Sequence, residues 1–158
     1  MTITTLDHHI AAFMRRTGLD TLRLSLAVIF IWFGILKPLG MSPAEPLVLQ
    51  TVEWMPVLSP VGWLHVIGWW EVLIGVLFLF RPTLRIAIGL LAMQMVGTFM
   101  PLVALPEVTF QPGRFPYGLT MEGQYIVKNL LIISAALVIG GTVATRAPAE
   151  PSKDRPGF

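Results

Sequence analysis

The stretch "VGWLHVIGWWEVLIGVLFLFRPTLRIAIGLLAMQMVGTFMPLVAL", residues 61–105, decides the fold. It consists of two apolar runs on either side of "RPT", Arg81 to Thr83. A helix needs roughly 20 mostly apolar residues to cross the hydrocarbon core of a bilayer. Val61 to Phe80 and Leu84 to Leu105 both have that length. Three connecting residues allow only a tight antiparallel hairpin, and Pro82, with no N–H to donate, does not continue either helix.

Two further segments have the same character, Leu19 to Pro38 and Gln124 to Ala144. The expected fold is therefore all-α, an integral membrane four-helix bundle over residues 19–144. It is preceded by a cytoplasmic or interfacial segment, 1–18, and followed by a proline-rich, polar and disordered tail, 145–158. Composition agrees. Of 158 residues 54% are hydrophobic and 13% charged, against about 25% charged in soluble domains, and the mean hydropathy is +0.72. The absence of cysteine excludes disulfides, thiol relays and Cys-ligated metals. Residues 1–20 carry His8, His9, Arg15 and Arg16 without an early apolar run, which is not the pattern of a cleavable signal.

Charge sets the orientation. Arg15, Arg16, Arg23, Arg81, Arg85, Arg146, Lys153 and Arg155 lie on the side of the termini, and Lys37, Arg114 and Lys128 on the other, a division of the 11 basic residues into 8 and 3. The positive-inside rule places both termini in the cytoplasm. The net charge of +2 does not indicate nucleic acid, because the basic residues sit beside apolar segments and form no stripe.

The flanking segments have patterns of their own. In "LDHHIAAFMRR" Leu6, Ile10, Phe13 and Met14 share one helical face, suited to the inner membrane surface with arginines near anionic headgroups. In "SPAEPLVLQTVEWM" Ser42, Pro43 and Glu45 form a capping-box pattern that predicts a short helix from Pro43 to about Trp54. That helix lies in the outer interface, with Trp54 and Trp63 in an aromatic belt. "PEVTFQPGRFPYGLTM" reads as a lid or hairpin across the outer face.

Glu71 is the one ionisable residue of "GWWEVLIGVLFLF" and lies near the middle of its span. A charged carboxylate there costs about 2.5–3.5 kcal/mol on insertion scales, so it faces the bundle interior, pairs, or is protonated. Gly68 and Gly75 at i−3 and i+4 offer a small-residue surface for a neighbouring helix. Gln94 lies at similar depth on the next span, flanked by Gly97 and Thr98, and a Glu71–Gln94 hydrogen bond is the first contact expected. Lys37, Lys128 and His65 belong to the outer half. A lysine directed inward closes much of the roughly 10 Å to Glu71, and one that snorkels outward does not. Each residue also has a structural reading: Glu71 fixing helix register through Gln94, the lysines as interface anchors, His65 as an interfacial histidine. His8 and His9 belong to the opposite face from His65, so no bis-histidine haem is expected.

Four stretches resemble the DoxX-like superfamily of small four-helix membrane proteins, in particular its YkgB-like branch. They are "RLSLAVIFIWFGILK" (Arg23 to Lys37), "SPAEPLV" (Ser42 to Val48), "WWEVLIGVLFL" (Trp69 to Leu79) and "LTMEGQYIVKNLLIISAALVIG" (Leu119 to Gly140). The resemblance runs from about Leu19 to Gly140. It is carried best by Gly34-x-x-Lys37, Glu71-x-x-x-Gly75 and the block from Glu122 through Lys128 to Asn129. It implies a four-helix bundle in a bacterial inner membrane, with links to redox stress and to quinone as a cofactor. The thiol–quinone chemistry of related proteins does not carry over to a chain without cysteine.

Three roles fit these residues. One is an accessory or binding subunit that holds a quinone, lipid or small hydrophobic ligand near Glu71, or docks a redox partner protein. Another is a proton-coupled transporter or channel working as a homo-oligomer in the lipid bilayer. The last is a structural scaffold. An independent enzyme is the weakest reading, since the chain shows no metal cluster, nucleophile–base pair or phosphate loop.

Overall fold

The computed structural model describes residues 3–143; the tail expected over 145–158 lies outside them. Its helices are α1 (Ile3–Leu36), α2 (Glu45–Val52), α3 (Pro60–Leu79), α4 (Leu84–Phe99), α5 (Pro101–Ala104), α6 (Pro106–Thr109), α7 (Met121–Lys128) and α8 (Leu130–Val143). Four stretches are long and apolar enough to cross a membrane: Leu6–Leu36, Pro60–Leu79, Arg81–Ala104 and Met121–Val143. The chain is thus an all-α, multi-pass membrane bundle. α1 packs on α3 and α8, and α4 packs on the same two, which closes a four-cornered arrangement. Its core is apolar, with Leu26 and Phe30 of α1, Ile74 and Phe78 of α3, Leu91 of α4 and Ile139 of α8.

The α1–α3 seam is the most extensive helix–helix contact among the described residues. A Cβ placed on Gly68 would lie 2.8 Å from the Gly34 carbonyl oxygen, and one on Gly34 2.8 Å from the Gly68 oxygen. Lower down, a Cβ on Gly75 would meet the Ala27 oxygen at 2.8 Å. Backbone lies directly on backbone, the contact that small residues make possible where lipid supplies no hydrophobic drive.

The same seam fixes heights. Gly34 and Lys37 lie against Gly68, eight residues into α3, so α1 ends about 12 Å short of the first residue of α3. Pro38 ends the i→i−4 ladder. Gly40, at φ +66°, then reverses the chain, with Met41 N–H donating to Leu36 O (2.9 Å) and Gly40 N–H to Lys37 O (3.1 Å). This is a Schellman closure, in which the left-handed residue is glycine because it carries no Cβ. α2 packs on α3, with Thr51 and Val52 buried.

Several local expectations are corrected. The segment expected ahead of residue 19 is helical and joins the first span without a break, so that α1 is one helix of 34 residues; no proline interrupts it, and a helix interior tolerates the glycine at position 18. The Ser42 capping box does not form. α2 starts at Glu45 behind Ala44 with no side-chain cap, because Ser42 instead engages Glu45 N–H through its backbone oxygen (3.1 Å). The side-chain cap sits at Ser59, whose Oγ accepts from Gly62 N–H at 3.2 Å ahead of α3. The third span breaks before Pro101, and the fourth carries an irregularity at Asn129. The loop over 105–120 becomes α6 plus a single antiparallel bridge, Phe110 to Leu119.

Candidate functional site

Three helices meet at one carboxylate. Glu71 on α3 accepts from Lys37 Nζ through Oε2, and from Gln94 Nε2 of α4 through Oε1 at 2.9 Å. The Lys37 side chain is 7% exposed and that of Glu71 13%. Both carboxylate oxygens are engaged, so the charge is neither orphaned nor turned toward lipid. The glycine seam makes this possible. With Gly34 and Gly68 in contact, the last turn of α1 comes close enough for Lys37 to reach one turn along α3 without crossing an intervening side chain.

Lys37 has a second acceptor, Phe33 O at 3.5 Å. Phe33 is in the last turn of α1, where carbonyls have no helical partner, and a cation at this end is favoured by the helix dipole. The ammonium is thus held by the carboxylate and by the helix terminus. Taking such a pair out of water costs several kcal/mol per ion, repaid only by close geometry and complete hydrogen bonding. The cluster has that geometry, and it keeps spare capacity: one further N–H on Lys37, and a second N–H and the carbonyl oxygen on Gln94.

The other residues singled out in the sequence lie elsewhere. Thr98 donates to Gln94 O at 3.0 Å and supports that helix turn without touching Glu71. His65 is exposed on α3. Lys128 is exposed, with its ammonium 5.2 Å from the centre of the Tyr125 ring. Glu122 is exposed in the first turn of α7, which Thr120 caps by accepting from Gly123 N–H at 3.2 Å. Of the two lysines left open by the sequence, Lys37 joins Glu71.

A second charged cluster had not been singled out in the sequence. At the arginine-bearing end of the bundle, Arg81 donates to both oxygens of Asp20 at 2.9 and 3.0 Å, and Arg23 approaches the same carboxylate at 3.5 Å. Asp20 itself was the available signal, as the single acidic residue of the first span. Among the described residues no group of three His, Asp or Glu side chains is placed to hold a metal ion. Comparison with family models, curated proteins and solved structures yields no match to this chain.

Proposed function

We propose that this chain is a DoxX-like accessory subunit of a bacterial inner membrane, with both termini cytoplasmic. In this reading it binds a small oxygen-bearing hydrophobic ligand of the quinone type at the Lys37–Glu71–Gln94 cluster. The observation that carries the reading is the cluster's place in a seam that does not need it. Gly34, Gly68 and Gly75 already hold α1 against α3 by backbone contact. A buried ion pair adds little to stability over apolar residues of the same volume, so its presence supports a role beyond adhesion. The remaining N–H groups of Lys37 and Gln94 suit a quinone carbonyl, and Glu71 suits a quinol hydroxyl. The positive-inside distribution supports the orientation, and the sequence blocks around Lys37, Glu71 and Glu122 support the family.

The test uses protein purified in mild detergent from a quinone-containing membrane. Wild type is expected to retain quinone, and Lys37→Met combined with Glu71→Leu is expected to fold normally and lose it. Equal quinone in both, or none in either, removes the quinone-binding role and leaves the transporter and scaffold readings.

A further inference from the structure

Among the described residues, every position of α1 from Leu6 to Arg16 except Ala11 is exposed. The Asp20–Arg81 contact marks the level at which α3 turns into α4, and from there α1 runs on to Ile3, a projection of about 25 Å. Along it Leu6, Ile10, Phe13 and Met14 are 51%, 50%, 66% and 64% exposed. Four large apolar side chains in a row do not remain in water on a membrane protein.

Their direction identifies what covers them. At 3.6 residues per turn, Leu6, Ile10 and Phe13 fall in the same sector of α1 as Leu24, Val28 and Trp32, which are exposed on the lipid side of the bundle. Ala27 and Gly34 mark the separate sector that meets α3. When the lower end of a vertical helix swings up toward a given side, the face that looked that way turns up against the membrane. A bend away from the bundle therefore lays this apolar stripe onto the bilayer. Arg15 and His8 lie on the opposite face of the segment, as in helices that rest in an anionic interface. At the turning point stands Gly18, and glycine is about 1 kcal/mol less favourable in a helix interior than alanine, which makes this the position where the helix bends at least cost.

We infer that residues 3–17 are an arm that bends at Gly18 and lies on an anionic lipid surface, with Leu6, Ile10, Phe13 and Met14 in the hydrocarbon boundary. In the chain by itself the helix is continuous; the bilayer supplies the surface that bends it.

The chain has no cysteine, so single spin labels can be placed without background. Labels go on full-length Ile10→Cys, Phe13→Cys and, for the other face, Ala12→Cys. The proteins are placed in nanodiscs of phosphatidylcholine alone or mixed equally with phosphatidylglycerol. In the mixed discs the ratio of oxygen to nickel-chelate collisions at positions 10 and 13 is expected to exceed that at position 12 several-fold. The difference should shrink in phosphatidylcholine, and Gly18→Ala should lower the ratio at position 13. Equal ratios on both faces overturn the arm. A close label-to-label distance between copies at position 13 also overturns it, in favour of a second chain covering the stripe. An unchanged ratio in Gly18→Ala overturns the hinge.

Discussion

Two carboxylates each receive a basic side chain, and the two places differ in almost everything else. Glu71 and Lys37 meet inside the bundle at 13% and 7% side-chain exposure, whereas Asp20 and Arg81 meet at its rim at 48% and 63%. The rim pair has good geometry, with two bonds from one guanidinium nitrogen. Water and salt nevertheless screen it, and such pairs contribute little. The interior pair makes each partner necessary to the other, because neither has water to fall back on. Burial, more than bond count, decides what a contact of this kind does.

The sharpest way to break the comparison is to orphan one interior partner. Glu71→Ala leaves the Lys37 ammonium buried without its carboxylate and should cost about 3–5 kcal/mol, read as an earlier thermal transition of the detergent-solubilised protein. Gly68→Ala tests the seam that makes the pair possible. Its new Cβ faces backbone, which cannot rotate away, and a loss of about 1–3 kcal/mol is expected. Removing both interior charges, with Lys37→Met and Glu71→Leu, should change stability by less than either Glu71→Ala or Gly68→Ala. A double variant as damaged as Glu71→Ala would show that the pair adheres the helices after all. At the rim, Asp20→Asn should cost about 0.2–1 kcal/mol at most, and less at high ionic strength. The smallest change carries the opposite sign: Gly89→Ala, where a Cβ meets nothing within 4 Å, should raise the transition slightly, since alanine favours a helix over glycine by up to about 1 kcal/mol.

Gly68 and Gly89 also show where sequence reading stops. Gly68 stood apart by its place one turn before Glu71, but the sequence did not say which helix approaches it. The pairing with Gly34 of α1 answers that and makes Gly68 indispensable, while Gly89 is replaceable. The four spans were legible because length and apolarity are local properties. The Glu71–Gln94 contact was legible because a hairpin with a three-residue turn fixes relative depth. The choice between Lys37 and Lys128 was not, since both sit near helix ends on the same side of the bundle and the choice depends on how each helix is rotated about its own axis. Lys128 shares a face with Tyr125, away from the carboxylate. The Ser42 pattern misled for a related reason: a capping box needs the side chain to turn toward the helix, and the backbone of Ser42 makes that contact first.

α1 meets the same hairpin through a charged pair at two heights, Asp20 to Arg81 and Lys37 to Glu71. Between them the backbone contacts made with Gly34 and Gly75 set the height and rotation of the helix, so the number of residues from 20 to 37 acts as a phase. One residue inserted in that interval shifts one part by about 1.5 Å and turns it by about 100°, enough to lose one pair whichever is kept. The same insertion ahead of Gly18 leaves both pairs in place and turns the exposed stripe of Leu6, Ile10 and Phe13 instead.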